Sequence, residues 1–119
     1  ALDYKSKAYE MRKRFYKDSD QHPDLATTLN NIGDDYFKSG DHETSLEYNL
    51  KAYEMQKRLY KNSDHPDLVK SLRYISSLYT ILNDKTNSEK YFLLLESMKE
   101  RLDKRRQVIN LKIFKSHSF

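Results

Sequence analysis

The chain has 119 residues, a length that holds one domain with one modest core and excludes two independent ones. Hydrophobic residues make up 37% and charged residues 34%, with two Gly, two Pro and no Cys, which excludes a turn-rich sheet protein, a disulfide framework and a thiolate metal site and fits a reducing, cytoplasmic setting. The net charge of +4 is uneven: residues 99–119 hold seven Lys/Arg against Glu100 and Asp103, a net +5, so the first 98 residues sum to −1.

In chain order, the first element is DYKSKAYEMRKRFYKDSDQHPDL from Asp3, and it returns as EYNLKAYEMQKRLYKNSDHPDL from Glu47, shorter by Gln21. The offset is 44 residues up to Asp20/Asp64 and 43 from His22/His65 onward. A period of this size predicts stacked helical units, each unable to bury its apolar face alone. The chain lacks an initiator Met and opens in mid-repeat, so it reads as a fragment. No apolar run approaches the roughly 18 residues that cross a bilayer, and the Lys-dense, Tyr-containing start is no signal peptide.

The next element begins at Pro23. Pro suits a first helical turn because its missing N–H would be unpaired there. Leu29, Ile32, Gly33 and Tyr36 then follow at i, i+3, i+4, i+7, which predicts a helix with one core face. Gly40 ends it and Asp41 can cap the partner helix, about Glu43 to Lys61, whose apolar Leu46, Leu50, Ala52, Tyr53, Met55 and Leu59 are spread too broadly for one contact. That helix is expected to lie between two neighbours. Pro66 opens a third unit, in which Leu72, Ile75, Ser76 and Tyr79 repeat the earlier spacing. The predicted core is Leu29, Ile32, Tyr36, Leu50, Ala52, Leu72, Ile75 and Tyr79. From Thr86 on there is neither Gly nor Pro, so a helix can continue at least to Val108, although the β-branched VINLKIF also permits an extended tail.

Leu29-x-x-Ile32-Gly33-x-x-Tyr36, followed by Gly40-Asp41, Ser45 and Ala52, resembles the tetratricopeptide repeat. KAYEMRKRFYK and HPDLATTLNNIGDDYFKSGDHETSLEYNLKAYEM are similar more particularly to the longer repeats of kinesin light chains. The resemblance implies an all-α, right-handed solenoid of about five helices: a repeat array over 1–106, with a lone B helix over 1–18 and A/B pairs over 23–61 and 66–105, then a basic C-terminal extension over 107–119. Three positions depart from the pattern. Asn49 stands where the family has a bulky residue, Ser76 replaces Gly33, and Leu95 replaces Ala8 and Ala52, which points to a change or end of the stack at a capping helix.

The resemblance also implies binding of a protein or peptide in a concave groove. The implied groove residues are Thr27, Asn30, Asn31, Asp34 and Lys38 on the first A helix and Lys70, Arg73 and Ser77 on the second. An Asn amide both donates and accepts, so Asn30 can hold a peptide backbone, and the Asn30-Asn31 pair matches kinesin-light-chain repeats. Lys70 and Arg73 would favour a carboxylate, hence an acidic ligand, unless they are an ordinary solvated face. Phe37, at the stripe's edge, is either a groove contact or, as preferred, half-buried against Tyr74 or Ile81.

No catalysis is expected and no cofactor. His22 and His65 precede Pro in repeated loops, His42 follows a capping Asp, His117 is in the tail, and none is spaced as a metal ligand. The second class of function is a basic C-terminal helix binding acidic membrane or nucleic acid; the third is a structural spacer. Nucleic acid and membrane are disfavoured because KRR is short and no aromatics interleave with it. Open repeat ends, including the first helix and the long last one, are expected to support self-association.

Overall fold

The computed structural model describes residues 2–15 and 23–117. Within them the chain forms five helices: α1 (Leu2–Phe15), α2 (Pro23–Lys38), α3 (His42–Leu59), α4 (Pro66–Ile81) and α5 (Lys85–Ser116). This is the all-α solenoid of helical hairpins that the sequence predicts, each helix packed on the next. Residues 16–18 of the predicted first helix, His22 and the last two residues of the extension lie outside the described residues.

Local chemistry sets the hairpins, and it does so twice. Asp41 accepts from the Thr44 backbone N–H at 3.1 Å and Asp84, 43 residues on, accepts from that of Asn87 at 3.1 Å, each satisfying a donor with no partner inside its helix. The preceding residue takes a positive φ in both loops, 89° at Gly40 and 61° at Asn83, the two residue types that tolerate it best. Above each turn two tyrosines stack across the hairpin: Tyr36 on Tyr48 with ring centroids 5.6 Å apart, and Tyr79 on Tyr91 at 5.4 Å. At the other loop, His65 caps α4 through Nδ1, which accepts from the Asp67 N–H at 3.0 Å, and its ring lies on Tyr60. The Tyr60 hydroxyl donates to Asp67 at 2.5 Å; burial, then this bond, pushes its pKa up to about 12.

The core falls into two clusters that share α3. On one side Leu25, Ala26 and Leu29 of α2 meet Ala52 and Met55, with Tyr9 of α1 against them. On the other, Tyr53 meets Leu68, Leu72 and Ile75 of α4 and Leu95 and Met98 of α5. α3 thus lies between two neighbours, as its broad apolar surface predicts. Leu29, Ile32, Ala52, Leu72 and Ile75 of the predicted core are fully buried, and Tyr36, Leu50 and Tyr79 are partly so. Leu95 is buried in the second cluster, filling the space at the α4 contact where the earlier repeats have Ala.

At the loop joining α3 to α4, Arg101 of α5 grips Asp64 with two bonds, 2.8 and 3.0 Å, and Arg105 adds a contact at 3.3 Å. The extended alternative for VINLKIF is not adopted: α5 runs 32 residues as one helix, about 48 Å, twice the length of α4.

Truncating Leu72 to Ala is expected to cost about 2–4 kcal/mol in urea melts, because the site is fully enclosed and only partly able to collapse. Arg101 holds the Asp64 carboxyl below the ordinary carboxylate range, with its hydrogen bond the leading cause. A depressed folded-state pKa gives stability above the ordinary carboxylate range, and that stability is lost as pH falls through the folded value. An Arg101→Gln variant should therefore be less stable than the parent at neutral pH, with the gap closing in acid, measured by melts between neutral pH and strong acid.

Candidate partner-binding site

Gly33 lets α2 and α3 approach closely. A Cβ at this position would lie 2.6 Å from Asn49 Nδ2 and 3.3 Å from the Ser45 carbonyl oxygen. Ser45 Oγ donates to the Gly33 carbonyl at 2.7 Å, and Asn49 Nδ2 donates back to the Ser45 carbonyl at 2.8 Å, so the polar atoms trapped between the helices are paired. Both side chains are buried. They form the floor of a cleft of about 80 Å³. Its walls are Asn30, Asn31, Asp34 and Phe37 of α2 and Lys70 and Tyr74 of α4.

Of the sequence-predicted groove residues, the structure brings Asn30, Asn31, Asp34 and Lys70 together in this cleft. Thr27, Lys38, Arg73 and Ser77 are exposed and do not line it. Lys38 instead bridges Asp34 at 3.0 Å, one turn back on α2, and that carboxylate and its hydrogen bond hold the ammonium pKa up. Phe37 is half-buried, 39% exposed: its ring meets that of His42 with centroids 5.1 Å apart, and it shares the cleft wall with Tyr74, so it is a cleft contact as well. The His42 ring, packed here, is part of the hairpin turn.

One polar atom at the cleft stands out. Asn30 Oδ1 is buried and accepts no hydrogen bond within the protein. A buried acceptor without a donor costs about 1–3 kcal/mol. Lys70 on the α4 wall supplies a cation and Asp34, on the same helix as Asn30, an anion, so the cleft offers an acceptor, a donor and two aromatic side chains.

Ser45, Asn49 and Tyr74 were not among the predicted site residues. The signal for Asn49 lay in its oddity: a small amide at a bulky position leaves a hollow over it. The signal for Tyr74 was its place as one of the two partners expected for Phe37, although it lies off the core face that Leu72 and Ile75 define. Among the described residues, no three His, Asp or Glu are grouped to hold a metal, and no helix is long and apolar enough to cross a membrane.

Gly33→Ala should destabilise the protein by about 1–3 kcal/mol in denaturant melts, since a pinned, buried Asn49 must move and this outweighs the roughly 1 kcal/mol of helix propensity that Ala offers. A net gain in stability would show that Asn49 yields freely.

No curated protein matches the chain. The family model described as tetratricopeptide repeat matches twice, over residues 1–58 and over residues 24–100. The two overlapping matches together span residues 1–100, the stretch that holds both hairpins. The chain therefore belongs to the tetratricopeptide-repeat family, whose repeats generally mediate protein–protein interaction and typically carry no catalysis.

Proposed function

We propose that this chain is a cytoplasmic peptide-binding module of the kinesin-light-chain type, with a repeat array over 1–106 and a basic extension over 107–119, and that it takes an acidic peptide segment across the cleft between α2 and α4. The observation that carries this is the buried, unpartnered Asn30 Oδ1 beside Lys70. A backbone N–H of an extended peptide would satisfy that acceptor without reading a side chain, and a ligand carboxylate would meet Lys70. Asn31 and the ring of Phe37 flank the same opening and give a peptide polar and aromatic contact on one wall. Arg73, one turn along α4 from Lys70, lies where a longer acidic segment would continue, with Ser77 beyond it; Thr27 lies one turn before Asn30 on α2.

The ionic part of such binding is exposed and falls with salt, whereas the backbone part does not. The test uses peptides selected on an array against this chain and then titrated in solution. Asn30→Ala and Lys70→Ala are each expected to weaken a selected acidic peptide by about tenfold, the size of one lost hydrogen bond or charge contact, with neither variant melting below the parent and Asn30→Ala, relieved of its unpaired acceptor, at or above it. Arg73→Ala should cost less, and mostly at low salt. If peptides selected on the array bind the Asn30→Ala, Lys70→Ala double variant as tightly as the parent, the cleft is not the site.

A further inference from the structure

α5 carries its packing face past the end of the array. Tyr91, Leu95, Met98 and Leu102 lie in the second core cluster, whereas every residue from Asp103 to His117 is exposed. A lone helical segment of this length is marginal in water without something to pack on.

The side chains of this free stretch are sorted around the helix axis. At about 100° per residue, with Leu102 set at zero, Ile109 and Ile113 fall within about 20° of it and prolong the ridge that faces the core. Leu111 and Phe114 form a second ridge, at about 120° to 180° on the same count. All four side chains stand out in water, at 51% to 69% exposure. Lys104, Arg105, Lys112 and Lys115 occupy the wide flank between the ridges, from about 200° to 300°, with Val108 among them. No acid follows Asp103 in the helix.

Two apolar ridges on different sides of one helix decide what can cover it. A flat surface, whether a bilayer or the side of another helix, takes one ridge and leaves the other in water. A nucleic-acid backbone meets the cations and neither ridge. A second copy of the same stretch sets cations against cations. A protein groove with two apolar walls and carboxylates along the side between them satisfies both ridges and the charge.

We propose that residues 102–117 of α5 are a target helix for an acidic protein that closes on it from two sides, the type of groove that a calcium sensor opens when it binds its ion. Lys104 now bridges Glu100 of its own helix at 3.1 Å, with both side chains about two-thirds exposed, so exchanging that partner costs little. Arg105 is shared with Asp64 at 3.3 Å, which leaves the three lysines as the main charge offered on that flank. The contact involves α5 alone and is independent of the cleft between α2 and α4.

Calcium-loaded calmodulin presents such a groove and serves as the probe. The chain has no Trp, so Ile109→Trp and Leu111→Trp each place a single indole on one ridge. Both indoles are expected to shift to shorter wavelength when the probe is added with calcium, and neither without it. Titration of the full chain should give a dissociation constant of about 10 μM or below. It should rise at least tenfold in the Ile109→Gln, Ile113→Gln variant, in Leu111→Gln, Phe114→Gln, and in Lys104→Gln, Lys112→Gln, Lys115→Gln. All these side chains are exposed, so the melting curves of the variants should match the parent's. No saturable binding of the probe overturns the proposal. So does a shift at one indole alone, which is a one-sided contact, or binding that persists without calcium, which rests on charge alone. Tighter binding to phosphatidylserine vesicles or to duplex DNA than to the probe overturns it as well.

Discussion

The approach of α2 and α3 at Gly33 is the constraint from which the rest of the array follows. With no side chain on α2 at that point, Ser45 of α3 reaches the α2 backbone and donates to the Gly33 carbonyl, while Asn49 packs against Gly33 and donates to the Ser45 carbonyl of its own helix. The separation so fixed lets Ala52 and Met55 close the first core cluster, and it leaves Tyr53 turned to the opposite side as the start of the second. α3 can serve two clusters only because its small residues face the tight side and its large ones the open side. The cleft is a by-product of the same geometry: Asn49 fills less volume than the gap it faces, and the hollow stays open toward Asn30 and Lys70.

The second hairpin reaches the same architecture with different atoms. Ser76 stands in place of Gly33, and Ser88 pairs with the Thr80 hydroxyl at 2.6 Å, where its counterpart Ser45 bonds a backbone carbonyl. Leu95 then occupies volume that Ala52 leaves to its neighbours. The stacked tyrosines and the capping Asp recur unchanged. The turn and the ring stack therefore set the hairpin, while the contact between its helices tolerates substitution so long as volume and hydrogen bonds are redistributed together.

Electrostatics ties the ends to the middle. Lys5 of α1 bridges Asp35 of α2 at 2.8 Å and holds that carboxyl below its ordinary range, and Arg101 and Arg105 fasten α5 to Asp64 in the preceding loop. Past that clamp every described residue of α5 is exposed, and the balance of charge along it changes from mixed to wholly basic. A single helix thus carries two chemistries, one committed to the fold and one presented outward.

The sequence by itself determined the helical hairpins, their register and most of the core. These depend on local and periodic signals: His-Pro at a helix start, Asp41 at a cap, Leu29 and Ile32 at helical spacing, and a 43-residue echo of each. It also brought Asn30, Asp34 and Lys70 into view, since a stripe away from the core face can be counted along a helix, while Asn31 came from the resemblance to kinesin-light-chain repeats. Tertiary structure alone decided that Thr27, Lys38, Arg73 and Ser77 stand apart from the cleft, that Phe37 leans on His42, and that Ser45, Asn49 and Tyr74 complete the lining. Those outcomes depend on the distance between helices and on the volume left over when they meet. Periodicity along one helix says which way a side chain faces, and cannot say how far away the next helix lies.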